Sequence, residues 1–151
     1  MPARGKEELD KEWTELLNEL RVVLPGVQVL FAFLLAAPFS QRFGGVTDVQ
    51  EKAYFLSLLF TTISAGLMTA PTTFHRLRWR HGDKEKMLEI MNRLTITGGV
   101  FLALAMTAAF FVITDVIFGG AAAIVWTTLI GFVLFGLWYG LALKRKVDEG
   151  D

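Results

Sequence analysis

Four stretches of the chain contain no Asp, Glu, Lys, Arg or His, and each is long enough for a helix that crosses a lipid bilayer. They cover residues 22–39, 54–74, 94–114 and 121–143, so each holds 18 to 23 residues. At about 1.5 Å of rise per residue, such helices reach about 27 to 35 Å and match a hydrocarbon core of about 30 Å. The pattern predicts an all-α fold: a membrane bundle of four transmembrane helices in a single domain, residues 1–151.

Apolar side chains also recur at helical spacing before the first of these stretches, with charged residues on the opposite face. This stripe consists of Leu9, Trp13, Leu16, Leu17, Leu20 and Leu24. It predicts an amphipathic helix over about 7–21. This helix either lies in the membrane interface or continues into the first span, with a bend at Pro25-Gly26 between the two. Residues 1–21 hold six acidic residues against four basic ones, which argues against anchoring by anionic lipid.

The third helix is expected to begin well before its charge-free part. Gly82-Asp83 is typical of a turn followed by a helix N-cap, and apolar residues then recur at helical spacing up to Leu94. We therefore expect this helix to begin near Asp83.

The positions of Lys and Arg predict the orientation in the cell membrane. Thirteen of the fifteen lie in residues 1–21, in the loop 75–93 or in the tail 144–151, whereas Arg42 and Lys52 lie on the other side. Because positively charged loops stay in the cytoplasm, both termini are predicted to be cytoplasmic. The outer turns then lie around 43–45 and 118–120.

Composition supports a membrane protein and excludes several kinds of chemistry. The chain is 53% hydrophobic with a mean hydropathy of +0.46, more than a soluble domain of 151 residues usually carries. Its formal net charge is zero, so nucleic acid is not an expected partner. Cysteine is absent, which excludes disulfides and thiolate metal sites. The first 21 residues are too charged for a cleavable signal, so we expect them to be retained.

Titratable residues lie at the ends of the predicted spans and not at their centres. The nearest are His75, Glu89, Arg93 and Asp115, which are interpreted as interface residues. No phosphate-binding loop, nucleophile motif or carboxylate pair is present, so the sequence predicts neither an enzyme nor a cofactor. No metal site is predicted, because two histidines with Asp83 fall short of a zinc signature.

The basic run from His75 to His81 has two interpretations. It either fixes the topology, with Trp79 as an aromatic residue at the membrane interface, or binds lipid phosphates through its arginines.

Small and hydroxyl-bearing residues mark candidate packing faces. On the second helix Ser57, Thr61, Ser64, Ala65 and Thr72 share one face, which either packs closely against a neighbouring helix or lines a narrow ion path. Pairs of small residues four positions apart predict further helix packing, with a dimer face on the fourth helix. These pairs are Ala32 with Ala36, Gly66 with Ala70, and Gly136 with Gly140.

The run Leu-Arg-Val-Val-Leu-Pro-Gly-Val-Gln-Val-Leu-Phe-Ala-Phe-Leu-Leu at 20–35 carries a family resemblance, together with Pro38-Phe39, Ala70-Pro71 and His75-Arg76. Over about 15–143 the chain resembles a family of small four-helix membrane proteins of unknown function, found mainly in actinobacteria. Its members are often labelled sodium:proton antiporters. Known antiporter folds are several times larger and place acidic residues at the bilayer midplane, unlike this chain.

This resemblance emphasises a set of positions near the cytoplasmic ends of the first two helices. They are Arg21, Pro25, Gly26, Gln28, Pro38, Pro71, His75 and Arg76. From them we predict a polar cluster of Arg21 or Gln28 with His75 or Arg76. Gln28 has the alternative interpretation of a hydrogen bond that joins two helices.

The function expected from these features is assembly through helix contacts, as a homo-oligomer or as an accessory subunit of another membrane protein. The alternative is an oligomeric cation or proton transporter or channel, with the hydroxyl face of the second helix and the polar cluster as its path. A lipid-headgroup-binding protein is a third class. The lipid bilayer is a partner in all three.

Overall fold

The fold is a bundle of four long helices. The computed structural model describes residues 5–41, 43–78 and 84–140, and these form no strand. The helices are α1 (Lys6–Ala36), α2 (Asp48–Arg78), α3 (Lys84–Phe118) and α4 (Gly120–Phe135), the last followed by a π-helical segment, Gly136–Gly140. Each is long and apolar enough to cross a membrane, by length and composition. The predicted all-α bundle is confirmed.

The amphipathic segment and the first apolar stretch form one uninterrupted helix, α1. Pro25 lies inside this helix, with its side chain exposed. Proline lacks an N–H, so α1 has one hydrogen bond fewer at that turn, but the chain stays helical on both sides of it. Of the two interpretations from the sequence, the structure has the amphipathic segment continuing into the apolar one.

The connections between helices at the predicted outer end are short. Between α1 and α2 the chain makes two 3₁₀ turns, Ala37–Phe39 and Phe43–Gly45. Gly119 alone separates α3 from α4, and its φ of 76° is in the left-handed region, which side chains with a Cβ rarely adopt. As a result Asp115 lies in the last turn of α3 and not in a loop.

Helices α2 and α3 form the centre of the bundle. Helix α2 packs against α1 and α3, whereas α4 packs against α3 and against no other helix that the structure describes. Consecutive helices run in opposite directions, so α1 and α3 are parallel. The Lys84 Nζ atom lies 2.7 Å from the Asp10 Oδ1 atom, which joins the first turns of these two parallel helices.

A hydrophobic core lies at the predicted cytoplasmic end, where α1 and α3 extend beyond their charge-free parts. Leu16 and Leu20 of α1 are buried with Leu88 and Met91 of α3, and Trp13 packs at the edge of this cluster. The apolar stripe predicted on the amphipathic segment therefore packs against α3. Helix α3 is described from Lys84 onward, well before its charge-free part, whereas the turn predicted at Gly82-Asp83 lies outside the described residues.

Candidate functional site

The four residues of the predicted polar cluster belong to the halves of α1 and α2 at the predicted cytoplasmic end. Arg21 and Gln28 belong to α1, and both side chains are exposed. Neither forms a hydrogen bond or ion pair with another residue whose side chain the structure describes. His75 and Arg76 belong to the last turns of α2, but their side chains lie outside the described part of the chain. The meeting of these four residues stays a prediction.

The hydroxyl face of α2 packs against α3. Ser57, Thr61 and Ser64 are completely buried. The Ser57 hydroxyl donates to the Ala105 carbonyl and the Ser64 hydroxyl to the Gly98 carbonyl, each over 2.8 Å. We call these two hydrogen bonds the hydroxyl seam. Thr61, between the two serines, donates to the Ser57 carbonyl of its own helix. Of the two interpretations from the sequence, close packing matches this arrangement.

Gly98 permits the close approach of α2 and α3. A Cβ atom at this position would lie 2.9 Å from Met68 Cγ, 3.3 Å from Leu67 Cβ and 3.4 Å from the Ser64 carbonyl oxygen. Small residues at helix interfaces let backbones come near enough for side-chain hydroxyls to reach the facing carbonyls. Gly98 and the seam serines therefore act together to hold α2 against α3.

Two further close contacts hold α4 against α3. The Tyr139 hydroxyl donates to the Ile96 carbonyl over 3.1 Å, and a Cβ atom at Gly99 would lie 2.7 Å from that hydroxyl oxygen. Nearer the middle of the helices, Gly131 of α4 faces the Thr107 side chain. Ala123 is the only buried residue of α4 itself. Most of the α4 surface is therefore uncovered.

The small residues that the sequence singled out are directed away from the rest of the chain. A Cβ atom at Gly66, Gly136 or Gly140 would meet no atom within 4 Å. Ala32 and Ala36 of α1 are exposed, and Ala70 of α2 is half-buried. Whether these pairs pack against another chain stays a prediction, because they make no close packing within this one.

A polar contact joins α2 and α3 at the predicted outer end. Gln50 is buried, and its Nε2 amide donates to the Asp115 Oδ2 atom over 2.8 Å. Its carboxamide oxygen accepts a hydrogen bond from the Thr47 N–H at 3.0 Å, while the Gln50 N–H donates to the Thr47 hydroxyl at 3.3 Å. This reciprocal pair is a capping box at the start of α2. Gln50 thus starts one helix and ties it to the end of another.

Carboxylates line a groove at the opposite end of the bundle. The groove lies between the first parts of α1 and α3 and has a volume of about 360 Å³. We call it the acidic groove; it is lined by Glu12, Glu15, Leu16, Glu19, Glu85, Leu88, Glu89 and Asn92. Among the described residues no group of three or more His, Cys, Asp or Glu could hold a metal ion, and this includes the glutamates of the groove. Its chemistry is that of a negatively charged surface.

Two of these features, the acidic groove and the close contacts at Gly98 and Gly99, are not among the sites predicted above, although the sequence contains a signal for each. Glu12, Glu15 and Glu19 follow one another at the spacing of a single helix face, as do Glu85 and Glu89, which predicts two acidic stripes. Gly98-Gly99 interrupts an otherwise bulky apolar stretch, as a close helix contact requires. No local pattern connects Gln50 with Asp115, because they are far apart in the sequence.

A family model matches this chain over residues 4–142, which include all four helices and both polar ends. The chain belongs to the family of unknown function DUF6328. No curated protein and no solved structure matches it. The matched region of the family covers the hydroxyl seam, the Gln50–Asp115 contact and the acidic groove, and it stops two residues before the basic run that begins at Lys144.

Proposed function

We propose that this protein is a multi-pass protein of the cell membrane that acts through helix–helix assembly, as a homo-oligomer or as an accessory subunit. Both termini are cytoplasmic in this proposal, and the protein works by contact and not by catalysis. The four long apolar helices support membrane insertion. Thirteen of the fifteen Lys and Arg residues lie in the segments assigned to the cytoplasm and two lie on the other side, which supports cytoplasmic termini.

The observation that carries the proposal is the outward position of the small residues. Gly98, Gly99 and Gly131 face side chains of a neighbouring helix within the chain, whereas a Cβ atom at Gly66, Gly136 or Gly140 would meet open space. In lipid, helices associate by close packing and not by hydrophobic burial, so a strip without side chains favours contact with a second helix. The pair on α4 lies in a π-helical turn, and such turns are frequent at functional sites.

The position of α4 also favours assembly through this helix. It contacts only α3 among the described helices, so the side opposite α3 is available along the whole helix. That side presents Gly136 and Gly140 beside large apolar residues such as Phe132, whose side chain is 76% exposed. A second copy, or another membrane protein, would fit between these side chains.

The test is the mass of the purified protein in detergent, with the detergent contribution subtracted, for the natural chain and for Gly136→Leu and Gly140→Leu. We expect an oligomer for the natural chain and a smaller species for the two variants. Ala121→Leu is the matched control, because it enlarges an exposed small residue of the same helix outside the pairs. A monomeric natural chain, or an oligomer that both variants retain, would contradict assembly through α4.

Cation or proton transport is the alternative, and it requires a path between chains. Within one chain the hydroxyls of Ser57 and Ser64 are used in hydrogen bonds to α3. Liposomes that contain the natural oligomer would show cation or proton flux above empty vesicles if this alternative holds. A lipid-headgroup site in the arginine run at 76–80 is the third class, and vesicle binding that depends on those arginines would support it.

A further inference from the structure

One amide side chain lies inside an apolar span without a partner. Gln28 is the only Asn or Gln in the four charge-free stretches. Its side chain is exposed and forms no hydrogen bond with any residue that the structure describes. It follows Arg21 by seven residues and precedes Phe39 by eleven, which are about 10 Å and about 16 Å along the axis of α1. In a bilayer this amide lies within the hydrocarbon core, which is about 30 Å thick.

The hydrocarbon core offers this amide no water in place of a protein partner. Unpaired N–H and C=O groups are costly there, so polar side chains of membrane helices form hydrogen bonds to other helices. Long Lys and Arg side chains near helix ends reach the membrane interface, but the side chain of Gln28 is shorter. Helix α4 makes no contact with α1 in the described part of the chain. The position of Gln28 therefore indicates contact with a helix of another chain.

The surface around Gln28 lets a second helix come close. Residues four apart form a ridge along a helix, and Gln28, Ala32 and Ala36 form such a ridge on α1. All three are exposed, on the side of α1 opposite the buried Val27 and Leu34. The two alanines follow Gln28 by about one and two turns, and their small side chains let the backbones of two helices approach. We call this surface the Gln28 ridge.

We propose that the Gln28 ridges of two copies of this chain pack against each other, joined by a reciprocal pair of hydrogen bonds between their Gln28 side chains. This inference rests on the membrane insertion and assembly proposed above, but it uses α1 and not α4. A carboxamide carries both a donor and an acceptor. Across a two-fold axis, the amide nitrogen of each copy donates to the amide oxygen of the other, so both are satisfied.

This chemistry favours a second copy over a different membrane protein. A different protein would have to present a polar group at the same depth, whereas a second copy presents the same amide by identity. Copies inserted in one orientation have parallel α1 helices, as a two-fold axis along the membrane normal requires. Two hydrogen bonds of ordinary strength between membrane helices change a dissociation constant roughly eightfold. Gln28 therefore selects the partner and its register, while the alanines allow the close packing.

The first test is disulfide formation between copies in lipid vesicles, because the chain has no cysteine of its own. Ala32→Cys places a thiol on the ridge. Phe33→Cys is the matched control, because Phe33 is 72% exposed at nearly the same depth but about 100° around the helix. We expect Ala32→Cys to form disulfide dimers several-fold faster. Equal rates, as expected if Gln28 bonds to His75 or Arg76 of its own chain, would overturn the proposal.

The second test removes the amide and keeps the helix. Gln28→Leu has a similar volume and is more apolar, so it leaves membrane insertion intact. We expect it to raise the dimer dissociation constant roughly eightfold, measured by energy transfer between labelled copies in vesicles at several protein-to-lipid ratios. Phe33→Leu is the control off the ridge and should leave the constant unchanged. A constant unchanged by Gln28→Leu would overturn the proposal.

Gly136→Leu separates this contact from assembly through α4. If Gly136→Leu leaves the Ala32→Cys disulfide rate unchanged while Gln28→Leu lowers it, the Gln28 ridge is supported whether or not α4 also associates. If Gly136→Leu dissociates an oligomer in which Ala32→Cys reacts no faster than Phe33→Cys, assembly through α4 stands and the Gln28 ridge is overturned. A chain that stays monomeric in vesicles at every protein-to-lipid ratio would overturn both.

Discussion

The Gln50 side-chain amide donates a hydrogen bond to the Asp115 carboxylate, with 2.8 Å between Nε2 and Oδ2. The contact joins the first turn of α2 to the last turn of α3, and the carboxamide oxygen of Gln50 also accepts from the Thr47 N–H. One side chain therefore caps a helix and fastens it to its neighbour. These two roles can be separated by substitution.

Gln50→Glu should lower the thermal stability at neutral pH. The introduced carboxylate still accepts from Thr47, but it replaces the donor opposite Asp115 by a second negative charge. A polar group left unsatisfied at such a site costs about 1 to 3 kcal/mol. In acid the introduced carboxyl, whose ionised form the neighbouring Asp115 charge disfavours, binds a proton and can donate to Asp115, so the loss should be present at neutral pH and recovered in acid.

The measurement is thermal unfolding in detergent at several pH values, with Glu51→Gln as the control because Glu51 is exposed on the next position. The double variant Gln50→Glu/Asp115→Asn restores a donor opposite an acceptor and should recover most of the loss. Equal stability of Gln50→Glu and the natural chain at neutral pH would mean that the hydrogen bond does not stabilise the bundle.

Gly98→Ala should destabilise the contact of α2 with α3, whereas Gly66→Ala should not. The added Cβ at Gly98 would approach Met68 Cγ to 2.9 Å, and overpacking of this kind costs about 1 to 3 kcal/mol. At Gly66 the Cβ meets open space, and alanine in a helix is favoured over glycine by about 0.5 to 1 kcal/mol. Thermal unfolding of the two variants in one detergent compares them directly; similar melting temperatures would contradict the role of Gly98.

Ser57→Ala and Ser64→Ala should each cost little, about 0.6 kcal/mol with an upper value near 1.7 kcal/mol, as hydrogen bonds between membrane helices usually do. Each removes one bond of the hydroxyl seam without adding volume. Thr62→Ala is the matched control on the same helix, because its exposed hydroxyl donates to the Leu58 carbonyl of its own turn. Unfolding in detergent should rank both serine variants below the control. If Thr62→Ala is less stable than both serine variants, the hydroxyl seam does not stabilise the bundle.

Leu20→Ala should loosen the amphipathic part of α1. Leu20 is 1% exposed in the core it shares with Leu16, Leu88 and Met91, and loss of a buried leucine side chain costs about 2 to 5 kcal/mol. The exposed Asp10–Lys84 ion pair would not hold the segment in place, since such pairs contribute about 1 kcal/mol or less.

Trypsin cleavage after Lys11, followed by mass spectrometry, measures this loosening. The control is Val22→Ala, which shortens a side chain that is 79% exposed two positions away on the same helix. We expect faster cleavage only in the Leu20 variant. Equal cleavage of the two variants would mean that the core at this end does not hold α1 against α3.

The sequence predicts the helices well and their contacts poorly, for a physical reason. Absence of charge over a bilayer thickness identifies each apolar helix, and the apolar residues at helical spacing before Leu94 indicate that α3 extends beyond its charge-free part. Serines two turns apart, such as Ser57 and Ser64, indicate a close neighbour for α2. They do not identify that neighbour as α3, because every apolar helix offers the same backbone carbonyls.

For the candidate sites, too, the sequence shows the residues but not the contacts that they make. Small pairs such as Gly136 and Gly140 are visible in the sequence, but only the structure separates them from Gly98 and Gly99, which are in contact within the chain. The acidic groove depends on the parallel arrangement of α1 and α3, which brings glutamates of both helices to one groove. That arrangement follows from the whole topology and not from either stripe alone.

The hydroxyl seam also fixes the relative height of two helices. Its serines are seven residues apart on α2, and the carbonyls they reach are seven residues apart on α3 in the opposite direction. A shift of α2 along α3 by one helical turn, about 5.4 Å, would break both bonds at once. The seam therefore fixes the position of Gln50 along the axis of α3. It also fixes the length of the apolar surface that the two central helices present together.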